Sequence, residues 1–178
     1  MMKPRARFVA WAAALLPLVA LAACSREREA VSKGTPETLA ISAAPLAAPA
    51  CGHAVCADNF FIDAAPTGDC AAGSPCAVAL KLVATGDFHI NDEYPYRFKA
   101  DDAPGVDFLG TGEGGKNTFS KATGDWQKSE EKAGVMTVKF VPAQRGTRSV
   151  GGTFKLSVCS PQACLLEQRQ VAATVASR

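Results

Sequence analysis

The sequence predicts an all-β sandwich of about seven to eight short strands. Three observations predict it. Apolar and polar residues alternate with a period of two in several separate stretches, the mark of strands with one buried face. Turn-forming residues recur between those stretches at intervals of very roughly ten residues. No stretch carries a convincing helical period. A closed β-barrel has much the same signature and stands as the alternative.

Residues 1–23 read as an export signal. Lys3, Arg5 and Arg7 form a positive start, and Phe8 to Ala20 is an apolar run. That run is too short for a membrane span, which needs about 20 residues. Leu21-Ala22-Ala23-Cys24 follows and resembles a bacterial lipobox. The resemblance implies cleavage before Cys24 and acylation of its sulfur and new amino group. An ordinary signal peptide with a chance cysteine is the competing reading. Several acyl chains, at about 0.8 kcal/mol per buried CH₂, would hold the protein stably on a lipid bilayer. Ser25 follows the cysteine where an aspartate would point to the inner membrane, so the expected address is the outer membrane, facing the periplasm. Loss of the three signal cations takes the formal charge from +2 to −1. Neither value implies a nucleic-acid partner, which needs a basic stripe on the folded part.

Residues 24–50 are expected to be the lipidated cysteine and a flexible linker. The segment is rich in Ala, Ser and Pro, contains the mixed-charge run Arg26-Glu27-Arg28-Glu29, and lacks aromatic residues. Such a composition cannot build a core, and disorder is the default. A flexible chain of this length reaches roughly 28 Å.

Residues 51–178 are the expected folded domain. Cys51, Cys56, Cys70 and Cys76 come first, around the apolar patch Phe60-Phe61-Ile62, which reads as a short edge strand between loops. Val78, Leu80 and Leu82 then alternate with Ala79 and Lys81. Gly86-Asp87 breaks the run before Phe88-His89-Ile90. Further strands are expected at Tyr96–Ala100, Val106–Leu109, Trp126, Met136–Phe140, Thr153–Val158 and about Gln170–Val175.

Cys159-Ser160-Pro161-Gln162-Ala163-Cys164 closes the Thr153 strand. The alternation puts Cys159 in phase with Lys155 and Ser157, on the outer face. Pro161 fixes one backbone angle of a turn. A chain reversal there brings two sulfurs to facing positions on antiparallel strands, where Cα atoms are about 4.5–5.5 Å apart, within disulfide range. Six cysteines besides Cys24, in an exported domain, are read first as three disulfides. Spacing favours neighbours: Cys51 with Cys56, Cys70 with Cys76, Cys159 with Cys164. Such short loops restrict the unfolded chain by only about 2 kcal/mol each, against about 4.7 kcal/mol for a loop of 100 residues. That weakly favours a chemical role for at least one pair. No Lys, Arg or His lies within three residues of Cys159 or Cys164, so nothing local in sequence lowers a thiol pKa. The pair reads as a target for a thiolate rather than an attacking thiolate.

Phe88-His89-Ile90-Asn91 with Tyr94-Pro95, and Val158-Cys159-Ser160-Pro161-Gln162-Ala163-Cys164-Leu165, resemble two segments of the N-terminal periplasmic domain family of the disulfide-interchange protein DsbD. The likeness spans about residues 76–176. It implies an immunoglobulin-like β-sandwich, and an electron-relay role for Cys159 and Cys164 fed by a thioredoxin-like or DsbD-type partner. Leu165-Leu166 stands where many relatives have prolines, and the four early cysteines are outside the family pattern. The family's membrane and thioredoxin-like domains do not fit in this chain, so the donor would be a separate protein.

Other signals have blander readings. Gly110 to Asn117 is a near miss to a phosphate-binding loop, with Asn117 where Ser or Thr is needed, and no nucleotide is expected. Cys51-Gly52-His53-Ala54-Val55-Cys56 could supply copper or zinc ligands, but its spacing matches no common metal pattern; a disulfide beside an exposed histidine is expected, and no metal or cofactor. His89 lacks a partner in sequence and reads as structural. Asp92-Glu93 and Asp101-Asp102 read as solvated pairs, and Trp126, Tyr94 and Tyr96 as core. Two functions remain: thiol–disulfide interchange through Cys159 and Cys164, or a non-catalytic binding or structural lipoprotein stapled by three disulfides.

Overall fold

A computed structural model describes residues 51–178. The expected signal peptide, Cys24 and the linker to residue 50 lie outside the described residues. The described chain forms eleven strands: β1 (Val55–Ala57), β2 (Phe60–Pro66), β3 (Cys76–Ala84), β4 (His89–Ile90), β5 (Arg97–Ala100), β6 (Val106–Phe108), β7 (Thr118–Ser120), β8 (Trp126–Lys128), β9 (Ala133–Pro142), β10 (Gly146–Cys159) and β11 (Cys164–Ser177). They build two antiparallel sheets. One runs β1-β2-β3-β9-β6, with β8 also on β9; the other runs β11-β10-β5-β7, with β4 also on β10.

Among the described residues no strand of one sheet pairs with a strand of the other, so the architecture is a sandwich and not a closed barrel. With β1, β4 and β6 set aside, β2-β3-β9-β8 faces β11-β10-β5-β7. Taken in chain order, these are the two strand sets of the immunoglobulin-like sandwich.

Period-2 alternation delivers the core. Val78, Leu80 and Leu82 of β3, Met136, Val138 and Phe140 of β9, and Phe154, Leu156 and Val158 of β10 are all buried. Each such side chain contributes about 1.5–3 kcal/mol on burial. Tyr96, just before β5, stacks on Trp126 with ring centroids 4.0 Å apart, and both rings lie in the core.

Five of the strands have three residues or fewer, which raises the count above the expected seven or eight. β10 and β11 also pair over their full length, from Gly146 opposite Ser177 to Cys159 opposite Cys164. The last strand therefore starts at Cys164, not near Gln170. Its first half hides its period because the inward positions are only half-buried there. Glu167 and Arg169 take two of them, joined by an ion pair of 3.0 Å, and the Arg169 guanidinium lies 5.8 Å from the Phe60 ring centre. In β10, Gly152 blurs the pattern for a packing reason. A Cβ there would sit 2.2 Å from the Lys99 carbonyl oxygen across the β5–β10 pair.

Candidate functional site

The β10–β11 hairpin ends in a compact turn. Ser160 N–H donates to Ala163 O at 2.8 Å, with Pro161 and Gln162 at the corner. Ser160 Oγ accepts from Gln162 N–H at 3.3 Å and from Ala163 N–H at 3.2 Å. Serine at the first turn position and proline at the second are what such a turn favours. The Ser160–Ala163 bond makes Cys159 and Cys164 the next pair, of the non-hydrogen-bonded kind, where facing side chains come closest. The two cysteines are bonded to each other, with Cα atoms 4.0 Å apart.

Position in the sheet makes the two sulfurs unequal. Cys164 begins β11, the edge strand, and is exposed. Cys159 ends β10, which has β11 on one side and β4 on the other, and is only 6% exposed. An incoming nucleophile therefore has access to Cys164, and Cys159 is the sulfur it would displace.

His89 stands directly opposite Cys159 in the β4–β10 ladder. Side chains at facing positions share a face, with Cβ atoms about 4.5–5.5 Å apart. His89, Cys159 and Cys164 thus form one row across the outer face. This neighbour is invisible in sequence because seventy residues separate it from Cys159.

A buried network holds that row in place. Tyr96 Oη donates to Ser157 O at 2.6 Å and accepts from Asn91 N–H at 3.1 Å. Asn91 Nδ2 donates to Ser157 Oγ at 3.2 Å. These contacts tie the turn after β4 to β10 two residues before Cys159. Burial pushes the Tyr96 phenol above its ordinary pKa. In the same turn, the hydrogen bond from Lys128 to Asp92, 2.7 Å long, holds that carboxyl below its ordinary range. Tyr94 is half-buried and meets Tyr96 edge-on.

The remaining cysteines form two further bridges, Cys51–Cys56 and Cys70–Cys76. Cys70 and Cys76 are both buried, at 7% and 6% exposure, and lie in the core. His53, between Cys51 and Cys56, is half-buried rather than exposed. Its ring stacks on Phe61 at 3.9 Å, and its Nδ1 lies 2.6 Å from Asp63 Oδ1. The glycine-rich loop is ordered by its own backbone, with Gly110 N–H donating to Lys116 O at 2.7 Å, and Asn117 Nδ2 donates to Ala100 O at 3.2 Å. Strand β7 follows it.

Fold and site together define a disulfide-bridged, immunoglobulin-like β-sandwich domain. No family model matches the sequence, and no curated protein matches it. Among solved structures it is similar to the ASH/PapD-like domain of human CEP192, at 10% identity and a TM-score of 0.28, over 67% of this chain and 87% of that one. It is also similar to AggA, the major subunit of aggregative adherence fimbriae type I from Escherichia coli, at 12% identity and a TM-score of 0.31, over 71% of this chain and 99% of that one. Both scores are too low to bear on function.

Proposed function

We propose that this chain is an envelope lipoprotein, anchored in the outer membrane through acylated Cys24, whose sandwich domain passes electrons through the Cys159–Cys164 disulfide. One observation carries the reading: the bridge joins an exposed edge-strand cysteine to a buried one, with His89 opposite the buried cysteine in the ladder. A thiolate of a donor dithiol protein attacks Cys164 Sγ. The Cys159–Cys164 bond breaks, and Cys159 leaves as a thiolate and takes up a proton. The donor's second thiol, once deprotonated, attacks the mixed disulfide and releases Cys164. Two electrons pass from donor to domain, and the donor is left as a disulfide. His89 faces Cys159 in the β4–β10 ladder, and in this reading its ring N–H donates to the leaving sulfur once the bridge opens.

The test is a trapping experiment with a donor whose second cysteine has been replaced. A mixed disulfide at Cys164, mapped by peptide mass, is the expected product. An adduct at Cys159, or none, would refute this order of events. The second reading, a staple in a binding or structural lipoprotein, draws its support from the shielding of Cys159 and from the buried Cys70–Cys76 bridge. It expects the same trapping experiment to leave the chain unmodified.

A further inference from the structure

From the face that carries Cys164 and from its charge we infer the chemistry of the donor: a dithiol protein with an acidic contact surface docks along the outer face of the β11-β10-β5 sheet. The inference rests on the interchange reading above. Alternation along β11 puts Cys164, Leu166 and Gln168 on this outer face, and all three are exposed. Leu166 is 69% exposed, against 37% for Leu109, the other exposed large apolar side chain among the described residues. It lies about 7 Å along the strand from Cys164.

Next to Gln168 in the ladder stands Lys155, and next to Lys155 stands Arg97. Lys99 follows Arg97 on the same face of β5. Like charges directly opposite each other are unfavourable in a sheet. Here they are left unneutralised: among the described residues Arg97, Lys99 and Lys155 have no carboxylate within ion-pair distance. The three cations line an open groove of about 600 Å³ together with Thr153, Gln168 and Asn117.

Asp101 and Asp102 line the same groove, so three cations stand against two carboxylates there and the excess is positive; Asp101 also accepts a hydrogen bond from Gln170. Asp92 is held by Lys128. Glu167 points inward to Arg169. Lys155 lies four residues from Cys159, about 13 Å along the strand. A strip thus runs from exposed Cys164, past an apolar contact, to a groove whose cations outnumber its carboxylates. All of it fits within one protein–protein contact of ordinary size, about 800 Å² per partner. An acidic face would be steered onto it, with the attacking thiol arriving at Cys164.

Three dithiol peptides of equal length test this, each with a Cys-x-x-Cys core flanked by Glu, Gln or Lys. Each reduces the full chain in detergent, and its rate at Cys159–Cys164 is divided by its rate with 2-hydroxyethyl disulfide. That division removes the effect of the flanks on intrinsic thiol reactivity. The Glu peptide is expected to outpace the Lys peptide about tenfold at low salt, the lower end of electrostatic steering. The ratio should fall near one at 1 M salt, where the Debye length is about 3 Å. Arg97→Gln with Lys155→Gln should abolish the ratio. Lys81→Gln with Lys139→Gln, which remove exposed cations from the other sheet, should leave it unchanged. A ratio of one at low salt in the unaltered chain overturns the docking surface. Dithiothreitol probes the interchange reading separately. A bond that dithiothreitol leaves closed overturns both readings, whereas one it opens while the peptides show no charge preference overturns the docking surface alone.

Discussion

Replacing Tyr96 by phenylalanine removes one oxygen from the network that sets the site. The ring is fully buried and its stacking on Trp126 survives the change, so the loss is confined to hydrogen bonding. Two bonds go, to Ser157 O and from Asn91 N–H. Both backbone groups keep a weaker partner, because Asn91 N–H also reaches Ser157 O at 3.4 Å. Neither is orphaned, and the cost falls towards the low end for buried groups, about 1–2 kcal/mol. For a domain of this size that lowers Tm by roughly 4–8 °C.

The difference between the two proteins should also depend on pH. Burial raises the Tyr96 pKa in the folded state above its unfolded value of about 10. Its contribution is therefore fully present below about pH 10 and is lost as pH rises towards the folded value. The original protein should lose stability above pH 10, Tyr96→Phe should lose less, and the gap between them should close. Thermal melts at pH 7 read the first effect, and urea melts at pH 7 and pH 11, followed by tryptophan fluorescence, read the second. A gap that stays constant from pH 7 to pH 11 would refute the argument, as would a Tm change under about 1 °C.

Three further outcomes follow from the same geometry. Gly152→Ala forces a methyl into the Lys99 backbone, and should cost about 3 kcal/mol or more in thermal unfolding; a melt shifted by less than a degree would contradict that close approach. Cys70→Ala with Cys76→Ala removes a buried bridge and should cost about 2 kcal/mol from chain entropy, seen as a lower Tm, while reduction of Cys159–Cys164 by dithiothreitol proceeds as before. His89→Ala removes the imidazole proposed to donate to the leaving sulfur, so dithiothreitol should reduce Cys159–Cys164 about 2–10-fold more slowly, with far-UV circular dichroism unchanged; an equal rate would remove His89 from the mechanism.

The sandwich was legible where one face of a strand is wholly buried, as in Val78-Leu80-Leu82 and Met136-Val138-Phe140. It was illegible where burial is partial or backbone contact replaces side chains. The start of β11 reads as a loop because Glu167 and Arg169 face inward against Phe60. Gly152, just before the strand expected from Thr153, has no side chain to show a period and is a point of close strand approach. The short strands β1 and β7 have too few residues to show a period. At the site, the hairpin turn was legible from Ser160-Pro161 and the spacing of the cysteines. The unequal burial of the two sulfurs was not, since it depends on which neighbour strand each one has. The row from His89 to Cys164, and the cations of β5 and β10 set side by side, exist only through long-range pairing.

The most direct test is the reduction potential of each bridge, read in glutathione buffers with thiol trapping and peptide mapping. The account expects Cys159–Cys164 to open at a potential above about −250 mV, while Cys70–Cys76 stays closed to about −300 mV or below, where structural disulfides sit. If Cys159–Cys164 also stays closed at about −300 mV, it is a staple, and the electron relay is contradicted.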